Sequence, residues 1–365
     1  MSETLARMAT PRFHTLTIAE RRQETADAIS LRFAVPPALA EEFRFEPGQY
    51  LTLRAMVEGE DVRRSYSICS APDQDELTVA IKRVEGGVFS NWANDTLHAG
   101  DTLEVMTPTG RFGLLGRAGN GRLHVGFAAG SGITPIMSIV QGVLAREPDS
   151  RFVLFYGSRS VDGILFRETL EDLKDRHLGR LTVFHVLSRE EQDIAVLNGH
   201  LDDAKIRRTL GAMVPVAAID HAFICGPEGM IEALSATLAD LGLDAAKIHT
   251  ERFVSALGGK PRAAKAVDAE AAPAAMATVI VDGNRRDVPV AAGEAILDAA
   301  LRAGLDLPFA CKGGMCCSCR AKLTEGSAQM ELNYSLEPWE VAQGFILTCQ
   351  AKPTTAKVEV DFDAV

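Results

Sequence analysis

Four cysteines at one fixed spacing constrain this chain more than any other feature. Cys311, Cys316 and Cys319 follow a C-x4-C-x2-C pattern, and Cys349 lies thirty residues further on. That is the ligand spacing of plant-type iron–sulfur sites. Four soft thiolates satisfy two tetrahedral irons bridged by two sulfides, and a 2Fe-2S centre carries one electron at a time. Gly313 and Gly314 let the loop fold tightly enough for backbone N–H groups to point at sulfur, because glycine tolerates positive φ. Cys317 falls out of register, since putting it in place of Cys316 changes the gaps to x5 and x1. A zinc site or a disulfide pair is the competing reading. The spacing disfavours both, and adjacent cysteines do not suit a structural bridge.

Length and composition set the frame for that array. With 365 residues, 47% of them hydrophobic, the chain has room for two or three domains, each with its own core. No apolar stretch reaches about twenty residues, so no membrane-spanning helix is expected. A net charge of -11 without a lysine or arginine cluster argues against a nucleic-acid partner. From Met1 to Thr10 there is no apolar run of the kind that export requires, so the thiols are expected in a reducing cytoplasm. Cys69 and Cys225 lie in apolar stretches and read as small buried side chains. The stretch from Ser255 to Ala275 is small, polar and proline-punctuated, which is linker composition, so the cysteine-rich segment reads as a separate body on a tether.

From Pro11 to Pro108 the pattern is alternating strands broken by turns, predicted at His14–Arg22, Ile29–Val35, Gln49–Ala55, Arg63–Ile68, Leu77–Val84 and Thr102–Met106. Six such strands in about a hundred residues predict a small antiparallel barrel. From Arg122 to Phe253, β-branched and aromatic runs alternate with helical patterns, as in a parallel sheet with crossover helices. Strands are predicted at Leu123–Ala128, Phe152–Tyr156, Leu181–Leu187, His221–Cys225 and Ile248–Arg252. Helices are predicted at Ile133–Arg146, Phe166–Arg176, Asp202–Leu210 and Gly229–Leu241.

Several turns and one strand look chemical. Gly130-Ser131-Gly132-Ile133-Thr134-Pro135 follows the first parallel strand and opens a helix whose N-terminus can receive a pyrophosphate. Cys225-Gly226-Pro227 does the same at a later strand, and both turns can face one site at the carboxyl ends of the strands. Two ordinary strand-to-helix turns remain the plain alternative. In the barrel, Arg64 can pair with a phosphate while Tyr66, two residues on, covers a planar ring. Gly87 and Ser90 sit at a helix start that again suits phosphate. A tyrosine on a strand is also ordinary core or surface packing.

Together these motifs resemble the ferredoxin-NADP reductase superfamily with a plant-type ferredoxin domain fused at the C-terminus, over nearly the whole chain. The resemblance implies a multidomain fold with an antiparallel six-stranded flavin-binding β-barrel over 10–115 and an α/β parallel-sheet NAD(P)H-binding domain over 116–256. A linker over 257–276 and a C-terminal β-grasp-type 2Fe-2S ferredoxin domain over 277–365 complete it. It also implies that Arg64 holds the flavin pyrophosphate, Tyr66 stacks on the isoalloxazine and Ser67 approaches N5, with Gly87 and Ser90 as a second flavin-phosphate motif. Gly130, Gly132 and Thr134, with Cys225, Gly226 and Pro227, become nicotinamide-binding residues. Cys225 then lies near the nicotinamide, against its reading as a buried filler, and joins Ser67 and Tyr66 as a catalytic candidate. The ligands implied for the cluster are Cys311, Cys316, Cys319 and Cys349.

FAD is favoured over FMN by resemblance alone. NADPH is favoured over NADH because Ser158 and Arg159 follow the second parallel strand, where a hydroxyl and an arginine fork suit the adenosine 2′-phosphate; a solvated loop arginine is the alternative. A narrower resemblance, carried by Cys311–Lys322, Glu337–Gln350 and Val360–Asp363, is to the reductase subunits that serve ring-1,2-phenylacetyl-CoA epoxidases. It implies that hydride moves from NADPH to flavin N5 and that electrons leave singly through the cluster to a separate di-iron oxygenase of phenylacetate breakdown. A reductase for another mono- or dioxygenase is the alternative within the class. An iron–sulfur redox sensor is the alternative outside it.

Overall fold

The computed structural model describes residues 12–72, 76–113, 119–253 and 274–364. Most of the linker read over 257–276 and the N-terminal segment to Thr10 lie outside the described residues. Three large sheets and one two-stranded pair organise the remainder.

The first is antiparallel. β1 (Phe13–Thr25), β2 (Ala28–Ala34), β3 (Tyr50–Val57), β4 (Glu60–Ser67), β5 (Leu77–Lys82) and β6 (Thr102–Met106) pair in the order β4-β3-β6-β1-β2-β5. The two edge strands meet through a bridge between Ile68 and Val79, which closes the sheet on itself and leaves little open edge. Alternation carries this sheet: Leu16, Ile18, Ile29, Leu31, Leu51, Leu53 and Val79 turn inward to a core shared with Phe89 of helix α1 (Val88–Thr96). All six strands fall where the alternating pattern predicts them, with ends moved by at most three residues and Thr102–Met106 unchanged.

The second sheet is parallel, in the order β11-β10-β7-β8-β9. Its strands are β7 (Leu123–Ala129), β8 (Arg151–Ser158), β9 (Leu181–Leu187), β10 (His221–Cys225) and β11 (Ile248–Glu251). Crossover helices α2 (Ile133–Arg146), α3 (Arg167–Arg176), α4 (Asp203–Met213) and α5 (Glu228–Asp240) connect them. The first two strands in sequence, β7 and β8, lie side by side, while β10 returns to the far side of β7. The order reverses there, so β7 and β10 flank the crevice where such sheets bind ligands. Phe127, Phe155, Phe152 and Phe223 stack between the strands and the helices on either face.

The third body is a mixed five-stranded sheet, β13-β12-β18-β14-β16, with a short hairpin-like pair β15-β17. Its strands are β12 (Ala275–Val281), β13 (Asn284–Val290), β14 (Arg320–Glu325), β15 (Ala328–Met330), β16 (Phe345–Leu347), β17 (Ala351–Pro353) and β18 (Lys357–Asp361). Helix α6 (Ile296–Arg302) lays Ile296, Leu297, Ala299 and Ala300 on it, and α7 (Pro338–Ala342) closes one end with a reciprocal capping box between Glu337 and Glu340. The first and last strands, β12 and β18, run parallel at the centre, the β-grasp arrangement.

One close approach joins the turns at the carboxyl ends of β7 and β10. Gly132 sits under the turn that ends β10, and a Cβ there would lie 2.1 Å from the carbonyl oxygen of Cys225. Only glycine lets the two strand-to-helix turns touch. Gly132→Ala should therefore cost about 1–3 kcal/mol of unfolding free energy, the usual range for overpacking, measured by denaturant titration; an unchanged midpoint would show that the turns separate freely.

Candidate functional site

A cavity of about 3600 Å³ opens where the three bodies meet, lined from the barrel by Arg64, Tyr66, Ser67, Gly87 and Ser90. The parallel sheet contributes Gly130, Gly132, Thr134, Ser158, Arg159, Gly226 and Pro227, and the third body contributes Cys311, Cys316 and Cys349. Residues chosen from separate parts of the sequence thus share one wall-to-wall space.

On the barrel side, β4 presents Arg64, Tyr66 and Ser67 at its end. The Arg64 guanidinium donates to the backbone carbonyl of Arg63 at 2.7 Å and stays half-exposed toward the cavity. Tyr66 rests on Phe89 with ring centroids 5.7 Å apart, and burial pushes its phenol well above the ordinary range, so it stays a neutral flat surface. Gly87 caps α1. The Ser90 hydroxyl accepts from the Val84 backbone N–H at 3.1 Å, so it closes the turn as well as lining the cavity.

On the sheet side, the Thr134 hydroxyl donates to the Ser131 carbonyl at 3.0 Å and locks the glycine turn. Gly130 has φ of +55°, and a Cβ there meets nothing within 4 Å; Gly86 on the barrel behaves alike at +70°. Both leave the backbone bare toward open space, a cradle that suits the close approach of a phosphate. Arg159 is exposed at the end of β8. Cys225 is fully buried in the core, and its neighbours Gly226 and Pro227 form the cavity wall. Burial, with Glu251 beside it, pushes that thiol well up.

Glu251 is the residue that motif reading missed. It ends β11 directly across from Cys225 and accepts a hydrogen bond from the Ser67 hydroxyl at 3.0 Å. Burial raises its carboxyl to about 8, with the Ser67 bond opposing the shift. An acidic residue at the carboxyl end of a parallel strand was the available signal. Serine, carboxyl and thiol thus meet where the barrel touches the α/β domain.

In the third body the sulfurs stand two and two. Cys311 and Cys316 share a hydrogen bond, and Cys319 and Cys349 share another. Within each pair the partner thiol holds one sulfur low, Cys311 at about 6 and Cys349 also lowered, and pushes Cys316 and Cys319 up. The Gly313 backbone N–H donates to Cys311 Sγ at 3.3 Å and that of Cys311 to Cys316 Sγ at 3.5 Å. Among the described residues no three His, Cys, Asp or Glu side chains gather as a single-ion site. A two-iron core needs two ligands on each iron, so this donor set fits a 2Fe-2S centre better than zinc.

Two details of the loop differ from expectation. Positive φ falls on Gly314 (+77°), Lys312 (+48°) and Cys317 (+52°), whereas Gly313 keeps an ordinary backbone. The Cys317 side chain hydrogen-bonds Ser335 and stands apart from the pairs. Although the segment reads as a separate tethered body, its loop is largely covered, with Tyr50 of the barrel packed on Ala310, Cys311 and Cys316.

Comparison with known proteins matches three domain families in order. Residues 15–113 match an oxidoreductase FAD-binding domain, 127–236 an oxidoreductase NAD-binding domain and 279–354 a 2Fe-2S iron–sulfur cluster binding domain. The chain is 44% identical over 353 residues to a 1,2-phenylacetyl-CoA epoxidase subunit of Escherichia coli, covering 96% of this chain and 98% of that protein. It is 37% identical over 356 residues to the ferredoxin reductase component of the 3-ketosteroid-9-alpha-monooxygenase of Mycolicibacterium smegmatis, covering 95% and 96%. Phthalate dioxygenase reductase shares the fold, with a TM-score of 0.56 at 24% identity over 96% of this chain and 98% of that one. The chain therefore belongs to the ferredoxin-NADP reductase superfamily with a C-terminal 2Fe-2S domain, and it is an NAD(P)H-dependent flavin iron–sulfur oxidoreductase.

Proposed function

We propose that this reductase takes hydride from NADPH and delivers single electrons to a di-iron oxygenase, the ring-1,2-phenylacetyl-CoA epoxidase of phenylacetate catabolism. The observation that carries the reading is the convergence of the β4 residues, the two glycine turns and the paired thiols on one cavity. Bound FAD accepts electrons as a pair and passes them on singly, which is what a nicotinamide donor and a 2Fe-2S acceptor require between them. The epoxidase assignment rests on the near-complete coverage of the Escherichia coli protein at 44% identity. A second reading, a different multicomponent oxygenase, is favoured by the full-length match to the ketosteroid monooxygenase reductase. Turnover with each oxygenase separates the two.

The module boundaries in this reading are 10–115, 116–256 and 277–365, joined by 257–276, of which 275 and 276 already belong to β12. Four cysteines assigned to iron and three further thiols without a disulfide are compatible with a reducing, cytoplasmic setting. Among the described residues no helix is long and apolar enough to cross a membrane.

In this reading Arg64 and the Gly87 turn hold the flavin phosphates, Tyr66 supplies a flat neutral face, and the Gly130 and Gly226 turns receive the nucleotide. Ser67 and Glu251 hold a proton beside the reacting ring. Cys311, Cys316, Cys319 and Cys349 ligate the irons, and replacing Cys316 with serine should abolish reduction of the oxygenase while flavin-level reduction of ferricyanide persists. Loss of both rates together would remove the division of labour.

Glu251 also gives a pH signature. Its folded carboxyl keeps a proton up to about 8, whereas an unfolded one loses it near the usual carboxylate range. Between those limits the folded state binds more protons, so stability falls as pH rises. Glu251→Gln should flatten that slope between about pH 5 and 8 in unfolding titrations; an unchanged slope would mean that the carboxyl is ionised in the fold.

Nucleotide choice is assigned to Ser158 and Arg159. Arg159→Ala should raise KM for NADPH by about tenfold or more, the worth of one charge-assisted contact, and leave KM for NADH little changed. Equal effects on the two would assign Arg159 to solvent.

A further inference from the structure

We propose that Arg63 is the positioning residue that docks the cluster domain on the flavin-binding strand and so sets how the cluster loop faces the flavin site. Its side chain is only 3% exposed. A buried guanidinium is unfavourable unless it is paired and hydrogen-bonded throughout, and Arg63 is both. Nη2 bonds Asp61 at 3.0 Å and Asp306 at 3.1 Å, while Nη1 donates to the Leu307 carbonyl at 3.1 Å. The guanidinium lies 4.2 Å over the Phe309 ring and 5.1 Å from that of Phe13.

The sides of the chain to which these partners belong give the contact its meaning. Asp61 shares strand β4 with Arg63 and Phe13 begins β1, so they belong to the barrel. Asp306, Leu307 and Phe309 form the segment that enters the cluster loop at Cys311. Arg54, the register partner of Arg63 on β3, adds contacts to Asp61 at 2.9 Å, Glu104 at 3.5 Å and Asp306 at 3.9 Å. The two cations are thus balanced by three carboxylates.

Successive residues of a strand project to opposite faces, so Arg63 reaches the cluster domain while its neighbour Arg64 turns to the other side. Two further contacts fix the same orientation. Tyr50, directly across from Ser67 on β3, places its hydroxyl 3.3 Å from Ser318 Oγ inside the loop. Arg111 of the barrel pairs at 2.6 Å with the fully buried Glu340, which Arg320 also holds at 2.8 Å. Arg63 grips the segment leading directly into Cys311 through a buried ion pair to Asp306 and a hydrogen bond to the Leu307 carbonyl, and Arg54 and Tyr50 support it there.

The inference rests on the reading that electrons pass from flavin to cluster. Asp306→Arg tests it from the cluster side: the Asp306 side chain is 71% exposed and lies outside the barrel, and arginine there faces Arg54 and Arg63 as a third cation. The full chain carrying FAD and its cluster should show a larger radius of gyration by small-angle scattering in Asp306→Arg and Arg63→Ala, and a wild-type value in Asp306→Glu. In anaerobic stopped flow with NADPH, Asp306→Arg should bleach flavin at the wild-type rate and reduce the cluster more than about tenfold slower, a population loss equivalent to ~1.4 kcal/mol or more.

Wild-type compactness together with wild-type cluster reduction in Asp306→Arg would overturn the proposal. Cluster reduction that fails in the wild type would sink the electron-transfer reading instead, and the scattering comparison would still decide what docks the domain.

Discussion

Strand β4 is the piece on which the other parts depend. Within five residues it contacts all three bodies: Arg63 reaches Asp306 and Leu307 of the cluster domain, Arg64 and Tyr66 line the barrel side of the cavity, and Ser67 reaches Glu251 of the parallel sheet. A strand has a repeat of two residues, so one short segment can serve two faces without a bend. The barrel gives that strand its rigidity, since β4 pairs along its full length with β3 in unbroken register. Placing cavity-lining groups on a paired strand rather than on a loop is how a fold holds a site to tight tolerances.

The burial of charge follows a consistent rule. Arg63 and Glu340 are buried, and each faces an opposite charge across the junction of two bodies. Glu251 is half-buried at the cavity wall with the Ser67 hydroxyl against it, and desolvation raises its carboxyl to about 8, which favours its proton. The first two fasten domains together, and the third leaves a proton at the point where barrel and α/β domain meet. The cysteines follow a related rule, because in each pair the hydrogen bond between the thiols lowers one sulfur and raises the other, and a metal core would compete with protons for those sulfurs.

Most of the fold was legible in the sequence, and for a physical reason. Alternation marked the barrel strands, and α2 runs from Ile133 to Arg146 as its helical period predicts. The cysteine spacing marked the loop, and the paired sulfurs follow it. What was not legible were contacts between bodies. Arg63 reads as one more polar residue in a strand, and Tyr50 as one more aromatic, because spacing along one segment says nothing about which surfaces meet. Glu251 was hidden for the same reason: its partner Ser67 lies 184 positions away. The left-handed residues Lys312 and Cys317 escaped because non-glycine side chains rarely adopt that region, and the cluster loop imposes it.

The measurement that bears most directly on this account is anaerobic titration of the iron-loaded flavoprotein with NADPH, with visible absorbance and electron paramagnetic resonance recorded together. The account expects about two irons and two acid-labile sulfides per chain, the content of a 2Fe-2S centre, and a reduced-cluster signal that grows after the flavin band begins to bleach. Flavin that bleaches fully while no cluster signal appears, in protein of that iron content, would contradict it.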